Sequence, residues 1–225
     1  MGYKPEEAVN LFIENALTDP VYYASVVFVV MLSVVLHELG HAYAALWEGD
    51  TTARDAGHTD LNPLTHMGKT SLFFLFLVGI AWGQCPVNPK RFRHGLLGNA
   101  LVSFAGPAVN LVLALIFSVA YAAWFAYSPG AGVGQAVGEN VAIFLSVGAI
   151  MNVVLFLLNM IPIPPFDGYS VATSLSSTFR NNAGVIERNG LILFVLVFFL
   201  GGSYLFAAGR TVFSALSSTL LTLML

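Results

Sequence analysis

His37-Glu38-Leu39-Gly40-His41 lies inside the first long apolar run of the chain, directly after Val34, Val35 and Leu36. On a helix, residues four apart share a face, so both imidazoles can point at one metal ion. Glu38, beside the first histidine, can then reach a metal-activated water as a general base. Charged and titratable groups are costly in lipid and are retained there mainly where they act. The apolar setting therefore says more than the five letters alone.

A second polar cluster stands far downstream, in Asn159-Met-Ile-Pro162-Ile-Pro164-Pro165-Phe-Asp167-Gly168. Prolines remove backbone donors and clash with the preceding turn, so the apolar helix that leads into this stretch must unwind. Unwound backbone at membrane depth is tolerated only against protein or a water-filled cavity. Asp167 follows the break, and Gly168 lets the chain turn sharply beside it. A carboxylate there supplies a third ligand and leaves the fourth tetrahedral position open. Two histidines, one carboxylate and an open position describe a hydrolytic centre with one zinc ion per chain. An alternative for Asp167 is to cap the following helix.

The elements that must position these residues are membrane helices. Of 225 residues, 57% are hydrophobic and 9% charged, against about 25% charged in soluble domains. Apolar runs of bilayer-spanning length occupy Val21–Leu46, Leu96–Tyr127, Val141–Ile161 and Leu191–Ala208, and Ser71–Trp82 and Thr211–Leu225 are shorter candidates. The expected fold class is all-α: a polytopic transmembrane bundle of about five to six segments, with a short amphipathic helix over Pro5–Leu17. The connections are too short for a second domain, so residues 1–225 read as one integral-membrane unit, with a core of about 21–170 and C-terminal helices over 171–225. Met1–Pro20 carries Glu6, Glu7 and Glu14 rather than a basic region, so it is expected not to be a cleaved signal. A net charge of −3 excludes the basic surface that nucleic acid requires. The single cysteine, Cys85, excludes an intrachain disulfide and reads as a passive thiol.

The two clusters together resemble the site-2 protease family of intramembrane zinc metalloproteases, whose signatures are HExxH and NxxPxPxxDG. Gly49–Ala53 through Leu61–His66, Ala105-Gly106-Pro107-Ala108-Val109-Asn110, and Asn152 ahead of the proline motif resemble its small bacterial and archaeal branch. The resemblance runs from about residue 30 to about residue 170. It departs from the family pattern at Trp82–Val87 and offers nothing beyond Ser170. It implies His37, His41 and Asp167 as zinc ligands, Glu38 as catalytic base, and Asn159 as a residue that holds substrate backbone or oxyanion. It further implies a multi-pass protein of the cell (inner) membrane that cleaves single-pass membrane proteins within or near their transmembrane segments.

Other readings have their own residues. His58 and His66, in the polar stretch after the first run, are tempting as further ligands but are expected to fix turns. Asn110 and Asn152 are expected to be interhelical hydrogen-bond glue. A metal transporter would want several carboxylates on different segments, which the apolar runs outside the motif almost wholly lack. An inactive scaffold of the same family would be expected to lose Glu38 or a ligand, and all are present. Basic residues at Lys90, Arg91, Arg93, Arg180 and Arg188 suggest two cytoplasmic loops. Counting Ser71–Trp82 as a crossing, the N-terminus is then expected to be cytoplasmic as well.

Overall fold

The computed structural model describes residues 11–127 and 134–225. Among these the secondary structure is helical, without strands. We number the principal helices α1 (Pro20–Trp47), α2 (Pro63–Val78), α3 (Gly95–Tyr127), α4 (Gln135–Asn159), α5 (Asp167–Leu175) and α6, the continuous run Ala183–Met224. Four of them, α1, α3, α4 and α6, are long and apolar enough to cross a membrane. The chain is a membrane protein.

Helix α1 starts cleanly because Pro20 pre-sets the first helical φ and Asp19 accepts from the Tyr22 amide at 3.1 Å. It buries Val26, Val29, Val30, Val34 and Val35 in the central core, together with Phe117 of α3 and Val147 of α4. Of the expected N-terminal amphipathic helix, residues 5–10 lie outside the described residues. The remainder is helical, a 3-10 helix at Phe12–Glu14 followed by a short α-helix at Asn15–Thr18. Phe12 packs on Tyr23 at a ring separation of 5.0 Å.

The segment Ser71–Trp82 is not a crossing. Helix α2 ends at Gly79, which adopts the left-handed conformation (φ 76°) that lets the chain reverse. The chain then returns in extended form beside α2. Ser71 Oγ donates to the Trp82 carbonyl at 2.6 Å and accepts from the Trp82 amide at 2.9 Å. The Gln84 amide donates to the His66 carbonyl at 2.9 Å. These partners satisfy backbone groups that lipid could not. At the mouth of this hairpin the Asn88 amide donates to Asp50 Oδ2 (2.6 Å) and the His94 amide to Glu48 Oε2 (3.1 Å). Glu48 and Asp50 are both fully buried, and His94 holds the Glu48 carboxyl below the ordinary carboxylate range. Residues 48–50 and 88–94 therefore share one end of the bundle.

That pairing corrects the expected topology. One helix of membrane-spanning length, α1, separates the N-terminal end from the basic loop at 90–93, so the two lie at opposite ends of the bundle. A second correction concerns the C-terminus. Leu191–Ala208 and Thr211–Leu225 belong to one 42-residue run that continues through a π-helical turn at Val197–Gly201. A lone glycine costs a helix only about 1 kcal/mol, and Gly209 packs closely against Val154 and the Ile150 carbonyl of α4. At about 1.5 Å per residue the run is roughly twice the thickness of a hydrocarbon core.

In a Cys85→Ser background, cysteines placed at the exposed positions Thr18 and Lys90 should react with an impermeant thiol reagent from opposite faces of the membrane. Labelling of both from the same face would overturn the hairpin.

Candidate metal centre

Three helices deliver the cluster. Helix α1 brings His37 and His41 one turn apart on a single face, and Glu38 beside them; all three are buried. Helix α4 ends at Asn159, and the proline stretch 160–166 is non-helical, as its composition predicts. The chain re-enters helix at Asp167, the first residue of α5. Asp167 does not serve as a cap. Phe166 holds the cap position, and the Asp167 carboxylate turns to the histidines. Nor does Gly168 adopt an unusual turn conformation. It lies within α5, where a side chain would overlap the Met160 and Ile161 carbonyls.

His37 Nε2 lies 3.0 Å from Asp167 Oδ2 and 3.0 Å from His41 Nε2, while His41 Nε2 lies 3.4 Å from Asp167 Oδ1. One ligand atom from each residue falls within 4.8 Å of the others. The outward ring nitrogens are already committed. His37 Nδ1–H donates to Asn110 Oδ1 at 2.6 Å, and His41 Nδ1–H donates to the Val102 carbonyl at 2.7 Å. Both neutral rings then present bare lone pairs at Nε2, next to each other and to a carboxylate. Three acceptors facing inward repel unless a cation sits among them. Tetrahedral zinc with bonds near 2.0 Å spaces its N and O ligands about 3.3 Å apart, close to what is observed here. The donor set fits zinc.

Helix α3 makes the room. A Cβ at Gly106 would overlap Nε2 of both histidines, so only glycine lets α3 approach the cluster here. Glu38 stands on the other side. Among the described residues no hydrogen-bond donor engages its carboxylate, and the extended return of the hairpin runs past it at Gly83, where a side chain would collide with it. An unengaged carboxylate beside a three-ligand cluster is free to take a proton.

The remaining candidates separate. His66 Nε2 donates to the Asp60 carbonyl at 2.8 Å, and its ring meets His58 edge-on at 5.4 Å. His58 lies in the turn before α2 and His66 in the first turns of α2, and the pair stays outside the trio. Asn159 Nδ2 donates back to the Leu155 carbonyl at 3.1 Å, and among the described residues no hydrogen bond joins it to the trio. Sequence reasoning missed the Val102 carbonyl, Gly106 as spacer, and Gly83. The signal for Gly106 stood within Ala105–Asn110, but a lone glycine in an apolar helix does not announce what faces it.

The chain is 35% identical over 174 residues to "Putative zinc metalloprotease YwhC" of Bacillus subtilis, an overlap covering 76% of this chain and 78% of that protein. The chain belongs to the site-2 protease family of zinc metalloproteases. It is also 31% identical over 192 residues to "Putative zinc metalloprotease Rip2" of Mycobacterium tuberculosis, covering 81% of this chain and 70% of that one. The Rip2 protein of Mycolicibacterium smegmatis matches at 35% over 146 residues, 62% of this chain and 52% of the relative. No protein-family model and no solved structure matches the chain. Zinc is the metal that the relatives' names carry, and it is the metal this site-2 protease donor set fits.

Gly106→Ala should weaken zinc binding roughly tenfold or more without removing a ligand, because the added methyl must push an imidazole aside. Chelator competition on the purified protein measures this. Affinity equal to wild type would show that α3 does not confine the two rings.

Proposed function

We propose that this chain is an intramembrane zinc metalloendopeptidase that hydrolyses peptide bonds within or near the transmembrane segment of single-pass membrane proteins, with one zinc ion held by His37, His41 and Asp167. The observation that carries the reading is the unengaged Glu38 carboxylate beside two Nε2 lone pairs and the Asp167 carboxylate, inside an apolar helix. His37 lies ten residues before the end of α1, about 15 Å along the helix, which is hydrocarbon depth.

When bound, zinc supplies Lewis-acid polarisation of the scissile carbonyl and makes water acidic enough to attack at neutral pH. The chain's residues do the rest. Glu38 takes the proton from the attacking water and gives it to the leaving amine. The Nδ1 bonds to Asn110 and Val102 keep both rings turned inward. Asn159, at the end of α4 where the chain unwinds, is the amide that receives the substrate backbone or the developing oxyanion in this reading. That role requires its side chain to leave the Leu155 carbonyl.

The substrate class follows from the location. A helix in lipid has its carbonyls locked in hydrogen bonds, and unwinding it leaves polar groups unpaired at several kcal/mol each. Segments already weakened by Gly, Pro or Asn near the cut are the ones this enzyme should take. Arg54 pairs with Asp55, Arg91 with Asp50, and the Arg93 amide donates to the Glu48 carbonyl, so these cations and Lys90 gather at the end of α1 nearer the trio. By the positive-inside tendency, the reading puts the catalytic end towards the cytoplasmic leaflet of the cell (inner) membrane and the N-terminus outside.

Two measurements test this proposal. His37→Ala, His41→Ala and Asp167→Ala should each lose zinc and activity, whereas Glu38→Gln should keep zinc and lose activity by a factor of about a thousand or more. Full zinc in the His41→Ala protein would sink the ligand assignment.

In detergent or liposomes the zinc-loaded protein should cut a single-pass peptide within its apolar stretch, and a chelator should stop it. Replacing the helix-breaking residues by Leu should slow cleavage at least tenfold, since each tenfold is about 1.4 kcal/mol. Equal cleavage of the all-Leu helix would exclude the proposed substrate class.

A further inference from the structure

Asn110 on α3 and Asn152 on α4 are both fully buried, each in a helix whose neighbours are largely apolar. A buried amide is costly unless its donor and acceptor are matched, and here the matches form one continuous line. Asn152 Nδ2 donates to the Gly148 carbonyl at 2.9 Å, Asn110 Nδ2 to Asn152 Oδ1 at 3.0 Å, and His37 Nδ1–H to Asn110 Oδ1 at 2.6 Å. The line has a polarity, and its origin is the far end. A backbone carbonyl can only accept, so Asn152 must turn its nitrogen to Gly148 and its oxygen to Asn110. Asn110 must then spend its nitrogen on that oxygen and offer its own oxygen to His37. Flipping either amide would set two donors or two acceptors face to face.

We propose that Asn152 is a positioning residue for the metal centre: acting through Asn110, it keeps the His37 ring proton on Nδ1 and the Nε2 lone pair directed at the metal. The proposal rests on His37 being a ligand, as read above. His41 needs no such device, because its Nδ1–H bonds directly to the Val102 carbonyl, which cannot flip. His37 faces a side-chain amide instead, and an amide can present either of its ends. Asn152 removes that freedom from two hydrogen bonds away. It also couples two parts of the site, because the helix that carries it runs on into the proline stretch before Asp167.

A double-mutant cycle on zinc affinity, measured by chelator competition on the purified full chain, tests this. Asn110→Asp keeps an acceptor for His37 but has no N–H to give Asn152, so it cuts the line at its middle. Asn152→Ala should weaken zinc binding about tenfold or more in the wild-type background. In the Asn110→Asp background it should cost less than about threefold, a non-additivity that two residues acting on the metal independently would not show. The visible bands of the cobalt(II)-loaded protein should shift in Asn152→Ala, because the His37 ring is free to reorient. An equal loss in both backgrounds, or wild-type affinity in Asn152→Ala, would overturn the relay. If Asn152→Ala does not fold, Asn152→Leu, which fills the volume without a polar atom, enters the same cycle. Failure of both to fold while Asn110→Asp folds would make Asn152 a folding residue and also overturn the proposal. His37→Ala run in parallel separates the two readings: if it retains zinc the ligand assignment fails, and if it loses zinc while Asn152→Ala does not, only the relay fails.

Discussion

Two imidazoles whose Nδ1 protons are committed outward leave their Nε2 lone pairs 3.0 Å apart and facing a carboxylate. Inside a bundle of apolar helices there is little water to screen that repulsion, so the arrangement calls for a cation at its centre. Most of the fold can be read as what this convergence requires. Helix α3 must come close enough for Asn110 and the Val102 carbonyl to reach the rings, and Gly106 permits it. Helix α4 must stop at the same depth and release the chain so that Asp167 can face inward, and the proline stretch makes it do so.

Irregular backbone at membrane depth is the second requirement, and each instance of it has its partners. The returning segment after Gly79 is tied to Ser71, His66 and Asp50. These ties fix its position beside Glu38, where Gly83 leaves the carboxylate room. The buried carboxylates Glu48 and Asp50 serve here as acceptors for backbone amides, which is why two acidic residues at the end of a membrane helix are structural. The acidic residue inside that helix, Glu38, has no such donor among the described residues, and that contrast separates the reactive carboxylate from the structural ones.

The sequence by itself determined the solvent and the helical class, and it singled out the three side chains that could hold a metal. Twenty-residue apolar runs admit few other structures in lipid, the i, i+4 spacing of His37 and His41 is fixed by helix geometry, and a triple-proline stretch cannot remain helical. These are local rules, legible from neighbours in the chain. Tertiary structure alone decided what depends on distant partners. Ser71–Trp82 has the composition of a short crossing, and only the bonds from Ser71, His66, Asp50 and Glu48 to residues 82–94 show that the chain turns back, which puts the N-terminal end and the basic loop at opposite ends of the bundle. Gly209 and Arg210 separate the two apolar runs in the sequence, yet the helix continues through both, with Gly209 packed against Val154 and the Ile150 carbonyl of α4. Asn110 and Asn152 were legible as polar glue, but not as a line with a direction. That direction comes from a backbone carbonyl and an amide on α4, an amide on α3 and a ring proton on α1, and hydrogen-bond polarity of this kind leaves no trace in sequence spacing.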